Sequence, residues 1–336
     1  MDYRHLFSDD EVRQEFLDRF DEITAGATGL GGFESVDAGL TADRAAEAVN
    51  RMSEGLWVPD GSGLEAIIER FTRPVHLVQK STFKLPPDGR ATSASVTARV
   101  ERARGPLEQA IPSVGRIDLR NHDLKWVGTG WMVGPRLVVT NRHVAEQFAR
   151  EARSGAGSGA GFAFKQSWTG KVVRPSLDWY QEYQQPEESR FRVTEVVWIE
   201  PDHRYDVALL RIDASGEDGD NPPPPIPLDT SGARVSGWIA VIGYPGHDSR
   251  ADPADQQRIF DGVYNCKRLA AGQLTAVEGQ DVVHHDATTL GGNSGSAVID
   301  LDSGKAVALH FGGAAGRSNV AVHAAAVARI VRSHGR

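Results

Sequence analysis

Thr288-Thr289-Leu290-Gly291-Gly292-Asn293-Ser294-Gly295-Ser296-Ala297-Val298 is a turn of small residues that runs into an apolar strand. A serine hydroxyl is a weak nucleophile at neutral pH. It becomes a strong one only beside a base that takes its proton and donors that hold the oxyanion formed. Glycine at 291, 292 and 295 opens positive φ to the backbone, so the amides of Gly292 and Ser294 can converge on one small space. The turn Gly292-Asn293-Ser294 is therefore a candidate oxyanion hole, with Ser294 the candidate nucleophile. Ser296 is its rival, two residues on and on the same side by strand alternation.

The base must come from elsewhere in the chain. Val138-Val139-Thr140-Asn141-Arg142-His143-Val144-Ala145 ends an apolar run in a histidine, and Asp206-Val207-Ala208-Leu209-Leu210 sets an aspartate before another apolar run. The order His, Asp, Ser is one of several that hydrolases use. The motifs T-N-R-H-V, D-V-A-L-L and G-N-S-G-S-A together resemble those of the chymotrypsin-fold serine endopeptidases, closest to the bacterial branch of glutamyl endopeptidases and HtrA-type proteases. The resemblance covers residues 107–336. It implies His143 as base, Asp206 as the carboxylate that fixes its tautomer, and Ser294 rather than Ser296 as nucleophile. Asp202 and Asp213 are the rival acids, and both read as loop residues.

The same resemblance bears on specificity. Thr288 lies six residues before Ser294, where trypsin-like enzymes carry the carboxylate that binds a basic P1 side chain, so such a residue has no obvious partner here. Leu309-His310-Phe311-Gly312-Gly313 resembles the strand bordering the S1 pocket of glutamyl endopeptidases, where a histidine and a threonine at the place of Thr289 meet an acid. Thr288, Thr289, His310, Gly312 and Gly313 are the candidate S1 residues. Two readings stay open, acidic P1 or a packed histidine with a small or apolar P1. One departure stands out: those relatives place a free N-terminus near the pocket, whereas here about a hundred residues precede the barrels.

Composition narrows the class. The 336 residues are 40% hydrophobic and 24% charged, ample for a buried core and too many for one minimal domain. A net charge of -8 and a pI near 5.8 disfavour nucleic acid or an anionic membrane as partner. The single cysteine, Cys266, excludes an internal disulfide or a four-cysteine zinc site. His203, His284 and His285 lack the motifs of metal ligands, so no metal and no cofactor is expected. The first residues lack a signal-peptide pattern and no run is long enough to span a membrane, so a cytoplasmic protein is expected.

Along the chain, Ser8 with Glu11 reads as a capping box opening an amphipathic helix over residues 9–23. Ala42–Met52 and Gly63–Phe71 read as further helices. Residues 1–75 thus form a helical region, either a regulatory or partner-binding module or a structural cap. Residues 76–106 read as a connecting segment, with a strand at 74–79, a turn at Pro86-Pro87-Asp88-Gly89 and a stretch from Ala91 to Ala110 that is either linker or strand. From residue 107 short apolar runs alternate with turns, as in an all-β barrel or sandwich. The resemblance, not the pattern of runs, implies two six-stranded antiparallel barrels with a cleft between them; the expectation is thus a mostly β protein of that kind, with a closing helix from Ala324. Ser154–Gly161 and Asp178–Glu188 read as loop insertions, and the proline run after Asn221 as the connector between barrels.

Three functions compete at this level. One is an active endopeptidase acting on protein or peptide, and a second is a protease held latent by residues 1–105 in a signalling or defence role. The third is a catalytically idle binding module that keeps the fold.

Overall fold

The computed structural model describes residues 3–27, 40–58, 63–85, 92–152, 161–201, 205–249, 253–313 and 318–335. The chain opens with α1 (Asp10–Asp18), α2 (Phe20–Ala27), α3 (Ala42–Ser53) and α4 (Leu64–Thr72). A hairpin of β1 (Val75–Gln79) and β2 (Thr82–Lys84) precedes α5 (Ala94–Arg102) and α6 (Arg104–Ala110). Next come β3 (Val114–Arg120), β4 (Trp126–Gly134), β5 (Leu137–Thr140), α7 (Arg142–Phe148), the small hairpin β6 (Ala149–Glu151) and β7 (Phe162–Phe164), β8 (Arg174–Asp178), β9 (Arg190–Ile199) and β10 (Ala208–Ile212). The second half holds β11 (Trp238–Gly243), α8 (Pro253–Phe260), β12 (Arg268–Glu278), β13 (Val282–His285), β14 (Ala297–Asp300), β15 (Ala306–Gly313), β16 (Asn319–His323) and α9 (Ala324–His334).

Two rings of antiparallel strands result. The first closes in the order β10-β5-β4-β3-β8-β9, with β10 bonded to both β5 and β9. The second runs β11-β14-β15-β16-β13-β12 and closes through β11 on β12. The fold is the two-barrel, chymotrypsin-like one that the sequence leads to. Beyond it, β12 also accepts β1, with Val75 opposite Ala270 and Leu77 opposite Arg268. The segment ahead of the barrels is thus hydrogen-bonded into the second sheet.

Alternation along single strands explains why so many runs are apolar at every position. Val138 and Leu210 point into the first barrel, while their neighbours Val139 and Leu209 enter a separate apolar layer. Ile239 and Val241 fill the second barrel, whereas Ala240 and Ile242 join that same layer. Successive side chains face opposite ways, so a strand buried on both faces must be apolar throughout. The shared layer also takes in Phe16, Phe20, Ile67 and Phe71 from the N-terminal helices and Val327 and Ile330 from α9. Each buried Phe or Ile contributes about 1.5–3 kcal/mol, so the helices and barrels are bound by a common core.

Several local expectations are corrected. The cap of α1 is Asp9, not Ser8: its carboxylate accepts from the amides of Glu11 and Val12. The helix expected over 9–23 breaks at Arg19 (φ -107°, ψ 7°), and this turn sends both Phe16 and Phe20 into the core. Residues 94–110 are α5 and α6, neither linker nor strand; Ser93 caps α5 through the amide of Val96, and Val96 and Val100 bury one face. Strands β8 and β16 and the β6–β7 hairpin had no counterpart among the expected runs. The turn at 86–89 and most of 154–161 lie outside the described residues.

Candidate active site

The last residue of β5, Thr140, is followed by Asn141, which caps α7 and places His143 in its first turn. Asp206 immediately precedes Val207 and β10, the strand that pairs with β5. Strand pairing therefore delivers the two side chains to one end of the first barrel. The Asp206 carboxylate grips His143 twice: Oδ1 accepts from its backbone amide at 3.0 Å and Oδ2 lies 2.5 Å from ring Nδ1. Asn141 Nδ2 donates to the Asp206 carbonyl at 2.9 Å, fixing the aspartate's own backbone. Asp206 is buried while the His143 side chain stays 45% exposed. A buried carboxylate on Nδ1 holds the ring proton there and leaves Nε2 free to accept one.

The serine turn meets this pair above β4. A Cβ on Gly128 would stand 2.9 Å from both the Ser294 carbonyl and a Val144 methyl, so the residue after His143 and the Ser294 backbone flank one point. The Ser294 carbonyl is itself held by the Thr129 amide at 2.8 Å. Gly292 (φ +93°) and Gly295 (φ +89°) take the left-handed backbone that the motif calls for. Space forbids a side chain at either: a Cβ on Gly292 would lie 2.3 Å from Trp126, and one on Gly295 1.9 Å from the Thr129 carbonyl. The Asn293 amide is committed to the Leu290 carbonyl at 3.2 Å, so it shapes the turn. Among the described residues, the amides of Gly292 and Ser294 donate to no protein acceptor. Ser294 is half-buried, whereas Ser296 is fully buried with its hydroxyl on Asn293 Oδ1.

The candidate S1 residues divide into two groups. His310 is buried on β15; its amide bonds the Ser296 carbonyl and its carbonyl accepts from Gly295. Its ring Nδ1 lies 3.0 Å from Nε2 of the buried His285. Burial, then the neighbouring His285 and His143, hold the His310 pKa well below the usual histidine value, and burial, then His284, pulls His285 down to about 3. Both rings are neutral at pH 7. His285 Nδ1 is buried with no partner among the described residues, and an orphaned acceptor is tolerated better than an orphaned N–H. The network thus assigns the His285 proton to Nε2, which donates to His310 and leaves the His310 proton on Nε2.

Thr288 and Thr289 form the second group. Thr289 donates to Asn319 Oδ1 at 2.9 Å, and Asn319 Nδ2 to the Ala287 carbonyl at 2.7 Å. Thr288 is buried and its hydroxyl donates to Glu69 of α4 at 2.9 Å, with the Arg73 carbonyl at 3.3 Å. Gly312 and Gly313 continue β15, where a Cβ on Gly312 would meet nothing within 4 Å.

Sequence reasoning missed Trp126, Glu69, Arg73, His285 and Asn319. Trp126 sits on a β4 motif side, but nothing in its spacing announces contact with residue 292. His285 was weighed only as a ligand, and its partner is 25 positions away. Among the described residues no cluster of three or more His, Cys, Asp or Glu could hold a metal, and no helix is long and apolar enough to cross a membrane. His203 and Asp202 lie outside the described residues.

Comparison with known proteins identifies the family. The family profile described as a trypsin-like peptidase domain matches residues 128–309. A probable serine protease of Lysobacter enzymogenes is 32% identical over 300 residues, spanning 80% of this chain and 74% of that protein. Among solved structures, the active form of the M. tuberculosis protease Rv3671c gives a TM-score of 0.43 at 21% identity over 68% of this chain and 84% of that one. The serine endoprotease of Yersinia pestis gives 0.45 at 15% over 74% and 67%. These structural scores are low, and the assignment rests on the two sequence matches. On those matches, and with the two-barrel architecture they call for, the chain belongs to the trypsin-like peptidase family of serine proteases.

Proposed function

We propose that this serine protease is an endopeptidase whose triad is His143, Asp206 and Ser294. The observation that carries the reading is the double grip of Asp206 on His143 beside the Ser294 turn. His143 Nε2 takes the Ser294 proton as Oγ attacks the peptide carbonyl, and the amides of Gly292 and Ser294 hold the oxyanion. As the C–N bond breaks, His143 returns the proton to the leaving amine. Water then repeats the sequence on the acyl-enzyme, with His143 again as base. Substituting Gly292→Ala forces a side chain into a left-handed position against Trp126, and kcat falls on the order of 10²–10³-fold, the cost of losing one oxyanion donor. Steady-state kinetics on a peptide substrate test this; an undiminished kcat contradicts it.

For specificity, the reading is an acidic P1 residue, as in the glutamyl endopeptidase branch. It is supported by the assigned His310 tautomer, which keeps an N–H on Nε2 available to a carboxylate. Peptide-library cleavage expects Glu or Asp at P1, lost in His310→Ala. Cleavage after Arg or Lys instead contradicts it and points to the Glu69 carboxylate beside Thr288. This reading has the site working in the folded 336-residue chain, where His143 and Ser294 both stay partly exposed.

A further inference from the structure

We propose that α4 and Arg73 are a built-in positioning element for the S1 wall, so that residues ahead of the barrels are required for selective cleavage. The proposal rests on the reading of Thr288 and Thr289 as S1 residues and deepens it. Residues 286–289 form the extended segment that leads into the Gly292–Ser294 turn, and they are gripped from two directions. On one side, Arg73 and Asp286 form a two-pronged ion pair, Nε to Oδ1 at 2.8 Å and Nη2 to Oδ2 at 2.7 Å, with both side chains buried. Glu69, one turn earlier on α4, accepts from Thr288. On the other side, Asn319 of β16 holds Ala287 and Thr289.

The Arg73 guanidinium has further partners. Nη1 donates to the Thr72 carbonyl, Nη2 also to Gln273 Oε1 and the His5 carbonyl, and the plane lies 5.3 Å from the Trp238 ring. Asp286 Oδ1 accepts in addition from the Gln273 amide at 2.7 Å. A planar fork that meets its carboxylate through two parallel bonds fixes the angle as well as the place of that carboxylate, which a point charge does not. The anchor is itself rigid, because Pro74 and β1 are bonded to β12 and Phe71 is fully buried. Positions at 286 and 288 are thus set by 73 and 69, while 287 and 289 are set by 319. This arrangement is the reverse of an inhibitory segment: removing it frees the wall.

The test uses the full-length chain. Arg73→Lys keeps the charge and loses the fork; Glu69→Leu removes the acceptor of Thr288 and carries the test should the buried Arg73 change prevent folding. Each folded variant, with its melting transition measured, is assayed on two peptide substrates differing only at P1, and for inactivation by diisopropyl fluorophosphate, which reports the serine without filling S1. The expected result for Glu69→Leu and Arg73→Lys is a loss of roughly tenfold or more in kcat/KM on the preferred substrate. Discrimination between the two peptides falls with it, while the inactivation rate is retained. Unchanged discrimination in folded variants overturns the proposal, as does an equal loss of inactivation rate, which marks general damage. A wild-type chain that does not react with the fluorophosphonate sinks the peptidase reading itself and is distinguishable from either outcome.

Discussion

Two histidine sites lie within electrostatic reach of each other, and they are built oppositely. His143 stands half-exposed with a buried carboxylate on one ring nitrogen, an arrangement that lets the ring accept a proton and be stabilised while it holds it. His310 is buried beside a second neutral histidine, with no carboxylate partner among the described residues, so a proton added there meets burial and repulsion. In the proposed mechanism one ring changes charge during turnover, while the other keeps its charge and its tautomer. The contrast shows that residue type says little about role until the partner atom and the solvent exposure are known.

The largest expected effect breaks the first site. His143→Ala removes the base, and kcat on a peptide substrate falls on the order of a millionfold, as for triads that act as a unit. Next comes Asp206→Asn, which keeps the shape of the grip but favours the wrong tautomer; the loss is on the order of 10⁴-fold in kcat. Parity between either variant and wild type would erase the distinction between the two sites.

How much of this was legible beforehand depended on distance along the chain. The turn at 291–295 and the runs ending at His143 and starting at Asp206 carry their chemistry within a few residues, and the structure brings those stretches together. Ten of the twelve barrel strands were legible as apolar runs, many of them buried on both faces, whereas the short β8 and β16, with Arg174, Pro175 and Asn319 among their residues, were not. Helix α5 was legible in principle: a serine cap and the Val96, Val100 spacing are a helix signal, obscured by the β-branched Val96, Thr97 and Val100, which favour strands. Arg73 with Asp286 was not, since a single pair 213 positions apart has no local pattern. The same holds for Trp126 on Gly292.

A smaller effect sharpens the comparison at the second site. His310→Ala reduces P1 discrimination by roughly tenfold, the value of one lost polar contact to substrate, with fluorophosphonate reactivity kept. Loss of reactivity in that variant would make His310 part of the proton machinery instead.

A further effect is on stability, not on turnover. His285 and His76 titrate near 3 and near 4 in the fold, below the ordinary 6.5, chiefly through burial. The unfolded chain therefore binds more protons than the native one between those values and 6.5. Their contribution is complete above pH 6.5 and is lost as pH falls toward 4, at about 1.4 kcal/mol per pH unit for each. Denaturant melts from pH 7 to pH 4.5 should show that slope, flattened in His285→Leu. A flat profile in wild type would mean these rings are not held neutral.

The central claim is tested most directly by treating the full-length chain with a fluorophosphonate and locating the adduct by peptide mass spectrometry. The account predicts one modified residue, Ser294, with labelling unaffected by Ser296→Ala and abolished by Ser294→Ala. An adduct on another residue, or a folded wild-type protein that takes up none, would contradict it.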